Sequence, residues 1–173
     1  MSRVAGVAIL ISFTSSIIWA QGTTLLDRAC GPSGAQFSVH SGGLQSPLPL
    51  QQSKSKVVVF TEAISSQFGC RYVITPVGID GKWIGASCVG SYISADIAPG
   101  EHHLCVNLQG KQSAEFTALH AFTAEEGKTY YFRAEVLEPN SFGVNYGMHL
   151  DPIDEDEGLY LATVRTAAKS EVK

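Results

Sequence analysis

Phe116-Thr117-Ala118-Leu119-His120-Ala121-Phe122 and, beyond the turn Glu125-Glu126-Gly127-Lys128, Tyr130-Tyr131-Phe132-Arg133-Ala134-Glu135-Val136 decide the fold. In the first stretch Phe116, Ala118, His120 and Phe122 share one face of an extended chain. In the second, Tyr130, Phe132, Ala134 and Val136 share a face, and Tyr131, Arg133 and Glu135 point the other way. A period of two is the signature of strands buried on one face and solvated on the other.

The same period extends towards the N-terminus. Val57-Val58-Val59-Phe60 is a short β-branched run suited to a strand. Val77-Gly78-Ile79 and Lys82-Trp83-Ile84 flank Asp80-Gly81, whose positive φ angles suit a two-residue type I′ hairpin turn. Tyr92 to Ile97 reads as a strand closed by Ala98-Pro99-Gly100-Glu101, with Pro and Gly placed as a type II turn needs them. His102 to Leu108 returns, with Leu104, Val106 and Leu108 on one face. Towards the C-terminus, Asp154 can cap a helix, and Glu155, Asp156 and Glu157 suit its positive end. A short helix is expected over Leu159 to Ala168, with Gly158 working against it in the first turn. The fold class expected is all-β, a small antiparallel sandwich of immunoglobulin-like type with at most one short C-terminal helix.

Residues 1–20 read differently. Arg3 is followed by the uncharged run Val4 to Ala20 and then Gln21-Gly22, the n-region, h-region and cleavage site of a signal peptide. Ser12 and Thr14-Ser15-Ser16 interrupt a run already short for a membrane span, so cleavage is expected over the alternative of an uncleaved anchor, with no stable span once the signal is cut. Asp27-Arg28 before Cys30 is the wrong context for lipid attachment. Residues 21–55, rich in Gly, Ser, Pro and Gln, read as flexible linker. Within them Gln36-Phe37-Ser38-Val39 alternates as a candidate edge strand. Residues 56–168 make one domain, large enough for one core. The formal charge of −4, with both signs scattered, argues against nucleic acid and against an anionic membrane surface.

Cys30, Cys70, Cys88 and Cys105 include no Cys-x-x-Cys pair. In an exported chain an even number favours disulfides over zinc or redox chemistry. Three pairings are open. Cys70 with Cys105 is the expected bond because both lie in or beside core strands; Cys30 is left free or bonded to Cys88.

Three segments occur together in order: Val77 to Gly85, Ile97 to His103, and Glu126 to Arg133. Over about residues 56–137 the chain resembles the bacterial domain of unknown function 2846 family, with hairpins similar to PEGA carbohydrate surface-layer domains. The resemblance implies a PEGA-like β-sandwich in the cell envelope and transfers no catalytic residue. Relatives often carry a lipid-attachment cysteine, and this chain departs there.

Candidate chemistry is sparse. His102 and His103 point to opposite faces of a strand, so they do not share one ion. His103 and Cys105 share a face, but a thiol nucleophile needs an orienting partner and an activated thiolate, which a disulfide denies. His120 on its apolar face reads as a hydrogen-bonded core histidine, and no spacing joins it to His149 as a zinc site. In Asp151 to Gly158 the calcium-loop spacing fails, since Ile153 and Asp156 occupy its third and sixth positions. No phosphate loop, Gly-x-Ser-x-Gly elbow or His-Glu-x-x-His occurs.

No cofactor is therefore expected, nor a catalytic role. Trp83 beside the hairpin turn and Tyr131 on the polar face are the candidate binding residues, for a cell-wall glycan or an envelope protein. The plainer alternative for Trp83 is a cover over the end of the core.

Overall fold

The computed structural model describes residues 29–44, 53–63, 70, 73–111, 114–137 and 147–173. The expected signal segment, residues 1–20, lies outside them. The elements are β1 (Phe37–Ser41), β2 (Ser55–Ala63), β3 (Ile74–Ile79), β4 (Lys82–Cys88), β5 (Ser91–Ile97), β6 (Gly100–Asn107), β7 (Thr117–Ala124), β8 (Thr129–Leu137) and β9 (Gly147–Ile153). A helix, α1 (Glu155–Val164), and β10 (Thr166–Val172) follow. Two sheets, ordered β1-β10-β5-β2-β8-β9 and β4-β3-β6-β7, enclose the core. The class is all-β and sandwich-like, as its alternating sequence requires.

Alternation sorts the residues as expected in the main layer. Val57 and Val59 of β2 meet Phe132, Ala134 and Val136 of β8 and Leu104 and Val106 of β6 between the sheets. Strand β2 differs from its neighbours, because Ser55 to Thr61 are all buried. Its other face, Val58 and Phe60, packs with Tyr92, Tyr131 and Leu161 in a second cluster under α1. A strand covered on both faces reads as a continuous apolar run, and Val57 to Phe60 is one.

Three arrangements differ from expectation. The sandwich is not wholly antiparallel. β2 pairs in parallel with β8 from Lys56↔Thr129 to Ala63↔Val136, and β10 pairs in parallel with β5 at Thr166 and Ala167. Local turn residues specify hairpin partners, whereas β2 and β8 are brought together by five intervening strands. The helix starts earlier and stops sooner than expected, over Glu155–Val164, and the residues after it form β10. β10 gains an antiparallel partner in β1, from Phe37↔Val172 to Ser41↔Ala168, a partner that no local signal announces. The stretch expected as a candidate edge strand within the linker, Gln36 to Val39, overlaps β1 (Phe37–Ser41), which lies at the sheet edge.

α1 is fastened at both ends. The Asp154 carboxylate accepts from the Glu157 backbone N–H at 2.8 Å. Arg133 of β8 pairs with Glu157. Just past the helix, Arg165 grips Glu62 of β2 with Nε at 2.8 Å and Nη2 at 3.2 Å. Between them the helix lies on the Tyr131 ring so closely that a methyl group at Gly158 would overlap it. That contact explains a residue with low helix propensity in the first turn.

In exposed helix positions Gly→Ala gains up to about 1 kcal/mol. Gly158→Ala is expected to do the opposite and destabilise by about 1–3 kcal/mol through overpacking, read from urea unfolding midpoints. A stabilised variant would show that the Tyr131 contact does not limit helix approach.

Candidate functional site

The outer face of the four-stranded sheet is where the chain builds something beyond a core. Leu104 and Val106 of β6 point inward, so Cys105 between them points out. Above it passes the N-terminal segment beginning at Ala29. Cys105 is bonded there to Cys30, with Cα atoms 5.1 Å apart. Gly78 sits opposite Cys105 on β3 and admits that passage, since a Cβ on it would lie 3.0 Å from the Ala29 carbonyl and the Cys30 Cα. A glycine inside an apolar strand run is the local sign of such a close approach.

The second bond joins Cys70 to Cys88, with Cα atoms 4.7 Å apart. The expected Cys70–Cys105 pairing is therefore incorrect, and Cys30 is neither free nor bonded to Cys88. Cys88 stands opposite Ile74 and Cys105 opposite Gly78, four residues along β3. At about 3.3 Å per residue that is roughly 13 Å, so Cys70, whose Cα is 4.7 Å from that of Cys88, lies farther from Cys105 than the ~7 Å that bonded Cα atoms span. Both cysteines expected to be oxidised are oxidised, with other partners. Two disulfides mark an oxidising, non-cytoplasmic compartment. By loop-closure entropy the 75-residue Cys30–Cys105 link contributes more than the 18-residue one.

Trp83 follows the Asp80-Gly81 turn, where Asp80 takes a φ of 50° and Gly81 of 79°. Its indole packs on Ala29, Cys30 and Cys105 rather than on the main core. Phe37 meets it edge-on at 6.2 Å. The indole N–H donates to the Pro32 carbonyl at 2.9 Å. Further along, the Phe37 backbone N–H donates to Gln109 Oε1 at 2.6 Å, and Gln109 Nε2 donates to the Phe37 carbonyl at 3.2 Å. The segment from Cys30 to Phe37 is thus pinned to the sheet by one covalent bond and three hydrogen bonds.

Between this segment and the sheet runs an open groove of about 270 Å³. Pro76, Asn107 and Thr117 form its floor, Trp83 and Cys30 one wall, and Gln109 to Lys111 another. Asn107 Nδ2 stiffens the floor by donating to Thr117 Oγ1 at 2.8 Å and, at 3.2 Å, to the Lys111 and Phe116 carbonyls. Lys111 Nζ lies 5.8 Å from the Phe116 ring centre.

Tyr131, the other candidate binding residue, is not on a solvated face. It is 8 % exposed and lies beneath α1. The polar alternation of β8 marks the face turned away from the sandwich, and the helix covers that face. Burial pushes its phenol pKa up, with the Glu155 carboxylate adding to the effect. The sequence reading also gave no role to Lys111, in a loop without periodicity, or to Gln36 and Asn107, whose alternation marks strands but not what their outer faces line.

The Trp83 hairpin is tied at its tip. His102 is nearly buried, with Nδ1 2.7 Å from Asp80 Oδ2 and Nε2 2.7 Å from the Ala98 carbonyl. Asp80 Oδ1 accepts from the His103 backbone N–H at 2.8 Å. A carboxylate and a carbonyl both accept, so the ring satisfies both contacts only when each nitrogen carries a proton. Burial works against the imidazolium, but the hydrogen bonds to Asp80 and Ala98 and the Asp80 charge outweigh it and raise the His102 pKa. His103, on the opposite face, is exposed. Its neighbour Cys105 has no thiol to offer. Among the described residues no three His, Cys, Asp or Glu side chains cluster as a metal site. Nor is any described helix long and apolar enough to cross a membrane.

No family model matches the chain, and neither a curated protein nor a solved structure matches it.

A raised folded-state pKa stabilises fully below the unfolded value, about 6.5 for histidine, and is lost as pH rises through the folded value. The stability difference between the native chain and His102→Gln is therefore expected to be largest below about pH 6.5 and to shrink above it. Urea unfolding of both proteins across that range tests this. A difference that grows with pH would mean the ring is held neutral.

Proposed function

We propose that this chain is an exported β-sandwich module of the bacterial cell envelope that works by binding, with the groove beside Trp83 as its binding site. The observation that carries this reading is the pinned segment from Cys30 to Phe37. Anchored through Cys30 and Phe37 to the outer face of a sheet whose inner face already has a core, it adds a walled, partly aromatic groove to a finished fold. Grooves lined by aromatic and apolar groups with a few placed polar groups are the usual form of a binding site.

The compartment follows from several features taken together. Residues 1–20 have the pattern of a signal peptide, and two disulfides call for an oxidising environment. The three hairpin segments resemble those of envelope proteins of the domain of unknown function 2846 family. A catalytic reading would rest on His103 and Cys105, and the Cys105 sulfur is committed to Cys30. The binding role therefore has the better support. The partner is a cell-wall glycan or an envelope protein.

In the exported chain lacking residues 1–20, Trp83 is the sole tryptophan, so its fluorescence reports on the groove directly. Solubilised cell-wall material is expected to change that fluorescence saturably, without being consumed. Trp83→Leu should weaken retention on insoluble wall material tenfold or more, about 1.4 kcal/mol or above. Retention unchanged by Trp83→Leu, or turnover of the wall material lost with His103→Ala, would overturn the proposal.

A further inference from the structure

We propose that the groove takes a saccharide bearing a carboxylate, with the sugar ring on Trp83 and the carboxylate on Lys111. This rests on the groove being the binding site and adds the class of ligand. Trp83 has already given its N–H to Pro32, so it offers a ligand its ring and no donor. A partner for such a surface presents a flat apolar face. A sugar ring has one, edged by hydroxyl and amide groups. Ser33 and Gln36 stand around the rim to meet them, while both ends of the Gln109 amide are engaged with Phe37.

Charge narrows the class. Among the described residues that line the groove, Lys111 alone has a formal charge. The whole chain carries −4, so a groove with one cation and no carboxylate departs from the average surface. Asn107 holds the Lys111 backbone through its carbonyl, and the ammonium stands 5.8 Å from the Phe116 ring centre. An anionic group on the ligand gains from it, and a second cation does not.

The alternative occupant is an acidic peptide. Peptides held in extended form add to an unpaired sheet edge, where backbone hydrogen bonds supply affinity. The floor of this groove is the face of β3, β6 and β7, with β6 paired on both sides. Of the two edges of that sheet, β4 already has one backbone donor taken, by β10, whose Ser170 Oγ accepts from the Ala86 N–H at 3.0 Å. A volume of about 270 Å³ accommodates something on the scale of one sugar ring.

The test compares two disaccharides that differ by one lactyl ether group and the carboxylate it carries: N-acetylglucosaminyl-N-acetylmuramic acid and N,N′-diacetylchitobiose, called chitobiose below. Titrations of the exported protein follow Trp83 fluorescence and amide chemical shifts of Gly31, Gly34 and Gly110. At low salt the acidic disaccharide is expected to bind about fivefold more tightly, the equivalent of ~1 kcal/mol. Lys111→Gln should remove that preference and leave chitobiose binding unchanged. Salt near 1 M should remove it too, because the screening length falls to about 3 Å. Trp83→Phe, which keeps a ring under the segment, should weaken both sugars alike.

Equal binding of the two sugars, unaffected by Lys111→Gln, overturns the anionic class and leaves the groove standing as a site. Binding of an acidic tetrapeptide in preference to both sugars overturns the saccharide class. Shifts confined to residues away from the groove, with wall material still retained, overturn the groove itself as the binding site.

Discussion

Everything in this fold leans on a strand with no solvent face. β2 runs through the middle of the larger sheet with its first seven residues buried, so it needs a roof on each side. The four-stranded sheet is one roof and α1 with its Tyr131 contact is the other. Each large apolar side chain buried there stabilises by about 1.5–3 kcal/mol relative to leaving it in water. The segment after β9 is therefore a structural layer, and Glu62 and Arg165 lock it to the very strand it covers. The position of β2 also fixes where β8 lies, and β8 in turn presents Phe132 to Phe122 and His120 of the second sheet.

Much of this was legible in the sequence wherever the cause was local. Asp80-Gly81 marks its hairpin because few residues tolerate two successive positive φ angles. Alternation assigns Phe132, Ala134 and Val136 to the core because a pleated strand permits no other sorting. Asp154 as a cap follows from the unpaired N–H groups every helix start leaves behind. What escaped was set by residues distant in sequence. The parallel β2–β8 ladder, the β1–β10 pair and the cover over Tyr131 all depend on which surfaces meet after the hairpins have formed. Polar alternation reports that a face points away from one core, and says nothing of whether a helix will later lie on it.

The groove was half legible for the same reason. Trp83 stood out because a large aromatic beside a tight turn is unusual, and it does line the groove. The cysteine partners did not, because strand register along β3 decides them and register is invisible until pairing is known. Gly78 was the available clue. Within Val77-Gly78-Ile79 its missing side chain is where the segment through Ala29 and Cys30 crosses the sheet. Reading that glycine as a crossing point would have singled out Cys105, opposite it, as the residue to be bridged.

The pairing of β1 with β10 joins the first described strand to the last. The Lys173 N–H reaches the Gln36 carbonyl, so the stretch just past β10 buttresses the rim of the groove. Because a chain is synthesised from its N-terminus, Phe37 is made long before Val172 arrives to pair beside it. Non-local pairing of this kind is slow to form, because the intervening chain must be ordered before the contact rewards it. A chain clipped within β10 would keep its hairpins while leaving β1 and the Gln36 carbonyl without the partners that hold them, so the order of the first described strand depends on the last one.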